Sequence, residues 1–161
     1  MTSFYYKDVM KPKEELLGYC GLYCGDCAGF SGEIAITSKR LKDLIFKYKF
    51  NRTAKELFNG KLREFDKFEK MLQLMTELKC PQICRERGTP EGSCEIKRCC
   101  REHGYFACYE CEDFTGCEKL KSLEPLHGDS CIKNLVAVKK LGINKWITQE
   151  KRLWFGSDID D

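Results

Sequence analysis

The chain of 161 residues has no apolar run approaching the roughly 20 residues that cross a bilayer. Its opening stretch, MTSFYYKDVMKPKEELLGYC, holds neither an apolar segment of signal-peptide length nor a small-residue cleavage site. These absences set the expectation of a cytoplasmic protein with no membrane partner. Histidine is scarce: His103 and His127 are the only two, and neither sits near a recognisable nucleophile motif. There is no phosphate-binding glycine loop and no dinucleotide fingerprint. No ladder of alternating apolar and polar residues marks a sheet, and no fixed-period repeat or low-complexity tract is present.

What the chain has in excess is cysteine, with twelve residues in short-spaced groups. The first group is Cys20, Cys24 and Cys27 in CGLYCGDC. Between residues 80 and 117 come Cys80, Cys84, Cys94, Cys99, Cys100, Cys108, Cys111 and Cys117, and Cys131 follows. Spacings of two or three residues let one tight turn aim two thiolates at one point, as a tetrahedral metal site requires. A reducing cytoplasm keeps such thiols free for metal rather than for disulfides. Gly21 and Gly25 follow the first two cysteines, where a backbone turning toward an ion profits from positive φ.

The ten metal-ligand candidates are Cys20, Cys24, Cys27, Cys80, Cys84, Cys94, Cys99, Cys108, Cys111 and Cys117. The first three need a fourth donor from elsewhere, which would tie the N-terminal group to a distant part of the chain. Cys80, Cys84, Cys94 and Cys99 can complete a four-thiolate site alone, whereas Cys108, Cys111 and Cys117 form another odd trio. Spacing does not divide these donors among sites. Cys100 sits beside Cys99 on an expected helix, where neighbours point about 100° apart, so its expected role is a small buried apolar residue. Cys131, opening a helix, receives the same reading, and the two histidines read as surface or capping residues. Spacing like Cys20–Cys24–Cys27 also holds an open iron–sulfur cluster in radical S-adenosylmethionine enzymes, but their large barrel of alternating strands and helices has no counterpart here.

Apolar spacing predicts helices around the cysteines. One opens at Ser31–Gly32, with Ile34, Leu41, Leu44, Ile45 and Tyr48 on one face. Asn51–Thr53 reads as a break, with Thr53 capping a short helix through Phe58 that Asn59–Gly60 ends. The strongest pattern runs from Lys61 to Lys79, with Leu62, Phe65, Phe68, Leu72, Met75 and Leu78 as its stripe and Pro81 as its stop. These two amphipathic helices are expected to pack as an antiparallel hairpin. Ser93 is expected to cap a helix ending at Gly104, and CYECEDFTGC to form a loop on a CxxC turn. Asp129 or Ser130 should start a helix carrying Ile132, Leu135, Val136, Val138 and Leu141, with Gly142 at its end. Asn144 should cap a last one carrying Trp146, Ile147 and Leu153, before the acidic tail GSDIDD. The fold class is therefore mainly α: a helical hairpin, irregular cysteine-rich metal-binding loops and C-terminal helices. The expected organisation is one domain over 1–161. It comprises an N-terminal arm (1–19), the first cysteine cluster and helical pair (20–79), the second cluster (80–117) and the C-terminal helices (118–155).

Formal net charge is +3, yet each zinc held by four thiolates contributes about −2, so two sites would bring the total to about −1. The basic run Lys39–Lys55 reads as a solvated helix face, and nucleic acid is not the expected partner. YCGLYCGDC, CEIKRCCREHGYFACYECEDFTGCEKL and NLVAVKKLGINKWITQEKR resemble the prokaryotic domain-of-unknown-function family 3795. The resemblance extends from Cys20 to about Arg152 and implies a small zinc-binding domain, its pattern falling on the same ten cysteines. CPQIC stands where such proteins more often have a glycine-containing turn. The leading expectation is a zinc-stabilised, non-catalytic interaction or regulatory module, with two Zn²⁺ ions and a protein partner. An iron–sulfur redox protein is the alternative, and a metal-dependent enzyme or nucleic-acid binder the third reading. Oligomeric state is open.

Overall fold

The computed structural model describes residues 13–80, 82–86, 94–149 and 152–155. The polar arm before Lys13, Pro81, Ser93 and the tail GSDIDD lie outside the described residues. Among those described, the protein is mainly helical with no strand; one isolated antiparallel bridge joins Leu17 and Tyr23. No described helix is long and apolar enough to cross a membrane. The chain divides into two compact units: Ala28–Pro81, and Met1–Cys27 together with Gln82–Asp161. Eleven of the twelve cysteines belong to the second, discontinuous unit; Cys80 alone belongs to the inserted one.

The inserted unit is the expected hairpin. A short turn, α1 (Ala28–Ser31), leads to Gly32 at φ 69°, a left-handed kink that starts α2 (Glu33–Lys47). The Ser31 hydroxyl accepts the Glu33 amide at 3.3 Å. A second turn, α3 (Phe50–Thr53), precedes α4 (Phe65–Met75), which packs on α2. Thr53 is not a cap: its hydroxyl bonds back to the Phe50 carbonyl at 3.3 Å, inside the turn. Reversal comes instead from Phe58, Asn59 and Gly60, all left-handed at φ 53°, 55° and 75°. The second helix is shorter than its apolar stripe suggests. It stops at Met75, where the Thr76 hydroxyl bonds the Gln73 carbonyl at 2.6 Å and competes with helical pairing. The amide of Cys80 closes the unit on the Gly29 carbonyl at 2.7 Å.

Burial in this unit is thin. Ile45, Ala54, Phe65 and Leu72 form its core, with Phe50 and Leu62 against them. Of the expected α2 stripe only Ile45 is buried; Ile34, Leu41 and Leu44 remain 39–42% exposed and Tyr48 more so. Periodicity identifies the apolar face correctly, but two helices alone cannot cover a stripe that wide.

The discontinuous unit carries the other helices: α5 (Glu95–Glu102), α6 (Glu118–Lys121), α7 (Glu124–His127), α8 (Ser130–Leu141) and α9 (Ile143–Ile147). Short 3₁₀ turns at Cys24–Asp26, Cys108–Glu110 and Phe114–Gly116 each follow or precede a cysteine, as expected of the CxxC loops. In α8 the buried positions are Ser130, Cys131, Asn134, Leu135 and Val138, the last four at i, i+3, i+4, i+7 from Cys131, whereas Val136 is 45% exposed. Asp129 precedes α8 without a side-chain cap and pairs with Lys133 at 2.6 Å. Gly142 ends α8 at φ 78° and also precedes α9, so Asn144 lies inside α9 rather than capping it. Leu153 is not helical; the Asn134 side chain clamps it, donating to its carbonyl at 2.7 Å and accepting its amide at 3.1 Å. Trp146, Leu17, Leu120 and Leu135 are essentially fully buried, with Trp146 edge-on to Tyr23 at 5.9 Å.

Because so few side chains hold the inserted unit, each matters. Leu72→Ala should cost about 2–5 kcal/mol. Urea titration followed by helical circular dichroism should show an early loss of part of the signal, and a single unshifted transition would contradict it.

Candidate metal centre

The N-terminal cysteine loop is placed by contacts made far along the chain. Cys108 donates its amide to the Tyr19 carbonyl at 3.0 Å. Arg85, next to Cys84, donates from Nε to the Leu17 carbonyl at 2.9 Å and from an Nη to the Phe106 carbonyl at 2.8 Å. Its guanidinium lies 4.7 Å from the Tyr19 ring centre and 3.7 Å from that of Phe106. The buried Lys97 on α5 donates to the Cys84 carbonyl at 2.8 Å. On the other side Arg152 grips Asp26 with both arms of its fork, at 2.5 and 2.6 Å, and stacks 4.6 Å over Tyr23. Arg85, Lys97 and Arg152 were invisible as site residues in the sequence, since nothing separates them from 25 other basic residues.

The two glycines of CGLYCGDC serve different ends. Gly21 does adopt positive φ, at 93°, and a Cβ there would stand 2.7 Å from both the Cys131 carbonyl oxygen and Leu135 Cγ. Gly25 does not need positive φ; a Cβ there would overlap the Tyr23 ring. The first glycine therefore permits close approach of the cysteine loop to α8, and the second makes room for an aromatic wall.

All twelve cysteines are free thiols. The Cys20 and Cys131 thiols pair with each other, and this pairing, with burial, pushes the Cys20 pKa well up while that of Cys131 is lowered. Cys108 stands in the same relation to Cys100, sulfur to sulfur 3.5 Å, its pKa raised chiefly by that bond and that of Cys100 lowered. Burial raises Cys24 and Cys84, and each feels the charge of neighbouring thiols: Cys84, Cys27 and Cys20 around Cys24, Cys20 and Cys94 around Cys84. Cys20 and Cys117 likewise oppose ionisation of Cys108.

Eight of the ten candidates thus belong to neighbourhoods in the discontinuous unit. They are Cys20, Cys24, Cys27, Cys84, Cys94, Cys108 and Cys117, together with Cys99, whose sulfur accepts from Lys119 near Cys117. Cys111 is half-buried at the end of the 108–110 turn, its amide on the Cys108 carbonyl. Cys80 lies in the inserted unit. Cys100 and Cys131 are buried as expected of small apolar residues, but each also touches a candidate ligand. His127 bonds the Trp154 carbonyl at 2.9 Å and packs against Trp154 and Phe155. His103 bonds the Cys99 carbonyl one turn back at 2.8 Å, its Nδ1 also 3.9 Å from the Cys99 sulfur.

Among the described residues no group of three or more cysteine, histidine or acidic side chains is arranged to hold a metal ion. The thiols meet as pairs and looser neighbourhoods. Their chemistry nonetheless suits a thiophilic divalent cation: burial and mutual repulsion disfavour bare thiolates, and a cation removes both penalties. A family model described as "Protein of unknown function (DUF3795)" matches residues 16–122, from just before the first cysteine loop to just past α6. No curated protein and no solved structure matches the chain.

Gly21→Ala should destabilise the protein by more than about 1–2 kcal/mol from the left-handed backbone alone, with the overlap against Leu135 added. Gly116→Ala, where a Cβ meets nothing within 4 Å, should be close to neutral. Thermal unfolding of the two variants tests the difference; equal midpoints would show that the loop does not press on α8.

Proposed function

The chain belongs to the DUF3795 family, and from that premise we infer that it is a zinc-stabilised, non-catalytic interaction or regulatory module working in the reducing cytoplasm. The observation that carries this reading is the gathering of eleven cysteines into one unit in which Cys20 touches Cys131 and Cys24 neighbours Cys84. Thiols from residues 20–27 thereby stand beside thiols more than fifty residues away, which favours donors shared across the sequence. Zinc, when bound, supplies only a closed tetrahedral tie with no redox change.

In this reading Cys20, Cys24, Cys27, Cys84, Cys94, Cys99, Cys108, Cys111 and Cys117 are the donors, all within the discontinuous unit. Cys100 and Cys131 hold the S–H groups. If Cys108 and Cys20 served as thiolate ligands, each would lose its proton to solvent, and the S–H that Cys100 or Cys131 keeps would donate to the ligand sulfur and steady its charge. Lys97 holds the Cys84 carbonyl, Arg85 ties the Cys84 turn to the Leu17 and Phe106 carbonyls, and Arg152 holds the Asp26 carboxylate, which together restrain the loops that carry the donors. Two ions per chain accommodate eight thiolates. The absence of a nucleophile constellation supports a non-catalytic role, and a closed zinc module presents its loops to a protein partner.

Cys27→Ser and Cys84→Ser should each lower bound zinc, whereas Cys100→Ser should leave zinc content unchanged and cost about 1–3 kcal/mol for the buried hydroxyl. Elemental analysis of anaerobically purified wild type and variants measures both. Equal zinc loss in all three would refute the division into ligands and bystanders. A brown protein with iron and inorganic sulfide would replace the zinc reading with the iron–sulfur one.

A further inference from the structure

The inserted unit holds no cysteine pair, yet it contains a cavity of about 680 Å³ opening between α2 and α4, within the roughly 300–1,000 Å³ typical of small-molecule sites. Leu41, Leu44 and Tyr48 form one wall, Phe50 the end, and Phe65 and Phe68 the other wall. The aromatic side is braced: Phe65 meets Phe50 and Phe68 with ring centres 5.4 Å apart in each case. Leu41, Leu44 and Phe68 keep 40–42% of their surface exposed within it, an apolar area that water penalises while it stays empty.

Among the described residues the cavity has two charged lining residues, Lys61 and Glu64. They are not equivalent. Glu64 is already paired with Lys67, whereas Lys61 has no carboxylate partner among the described residues. Around them the segment Lys39–Lys61 carries eight basic residues against Asp43 and Glu56. The site is thus an apolar slot with one uncommitted cation at its edge, in a positive field.

We propose that this cavity binds a single-chain anionic amphiphile, a long-chain carboxylate whose tail lies between α2 and α4 and whose head pairs with Lys61. The charge pattern selects the head group: a neutral alcohol would leave Lys61 unanswered, and a cationic head would be repelled. The size selects one acyl chain rather than a folded partner, since a docked helix needs a groove longer than one bounded by Phe50 and Lys61 at one end of the hairpin.

Calorimetric titration of the full chain with dodecanoate, dodecanol and dodecyltrimethylammonium, each below its micelle concentration, tests this. Dodecanoate should bind saturably at one site, about fivefold tighter than dodecanol, the size of a partly exposed ion pair. The ammonium compound should bind weakest, and shortening the acid by two carbons should weaken it several-fold. Lys61→Gln should reduce dodecanoate to the level of dodecanol without changing dodecanol itself. Leu44→Asp, at a half-exposed position that leaves the core intact by circular dichroism, should abolish both. Absence of saturable binding, equal affinity for the three head groups, or an unchanged Lys61→Gln would overturn the proposal. So would sedimentation showing that a second copy of the chain covers the cavity.

Discussion

The amide of Cys108 donating to the Tyr19 carbonyl, and the guanidinium of Arg85 reaching the Leu17 carbonyl, hold the N-terminal loop against segments more than sixty residues away. Everything distinctive about the cysteine-rich unit depends on that constraint. The chain leaves this unit after Cys27 and re-enters it at Gln82, so the local turns of residues 16–27 do not by themselves place them against the rest of the unit. Distant groups hold them too: the Cys108 amide and Arg85 on Tyr19, Arg152 on Asp26 and Tyr23, Cys131 on Cys20. Charge-assisted and bidentate bonds of this kind fix orientation as well as position. The thiols of the loop are thereby brought beside those of distant segments.

The inserted unit follows a different logic. Its two ends meet through Cys80 and Gly29, as expected of a segment inserted into another fold. It has one cysteine, a thin core and a surplus of basic residues. The discontinuous unit, with the acidic residues in slight excess, holds the thiols. The clustered thiols and the apolar cavity therefore belong to different units of one chain.

The helices were legible because their apolar residues recur at helical spacing: α2, α4, α5 and α8 fall inside the expected segments, while α9 starts before its expected cap at Asn144 and ends before Leu153. The cysteine loops were legible because two-residue spacing imposes a turn, and 3₁₀ turns occur at Cys24, Cys108 and before Cys117. Three kinds of feature stayed hidden. Periodicity gives a face but not what covers it: of the expected apolar stripe, Leu41 and Leu44 line an open cavity and Ile34 stays exposed. Side chains that bond backbone, such as Thr53, Asn134 and Arg85, leave no spacing signature. Thiol contacts such as Cys20 with Cys131 join positions that only the path of the chain brings together. Cys131 also lies beyond the segment that the family model matches.

The account's central claim is that bound metal, acting through Cys20, Cys24, Cys27 and their distant partners, completes the cysteine-rich unit while the hairpin stands without it. Amide hydrogen exchange before and after verified metal removal by a strong chelator measures this directly, because exchange reports local opening segment by segment. The account predicts that protection collapses at residues 17–27 and 107–111 and persists in Glu33–Lys47 and Phe65–Met75. Unchanged protection at residues 17–27 after the metal is gone, or uniform loss across both units, would contradict it.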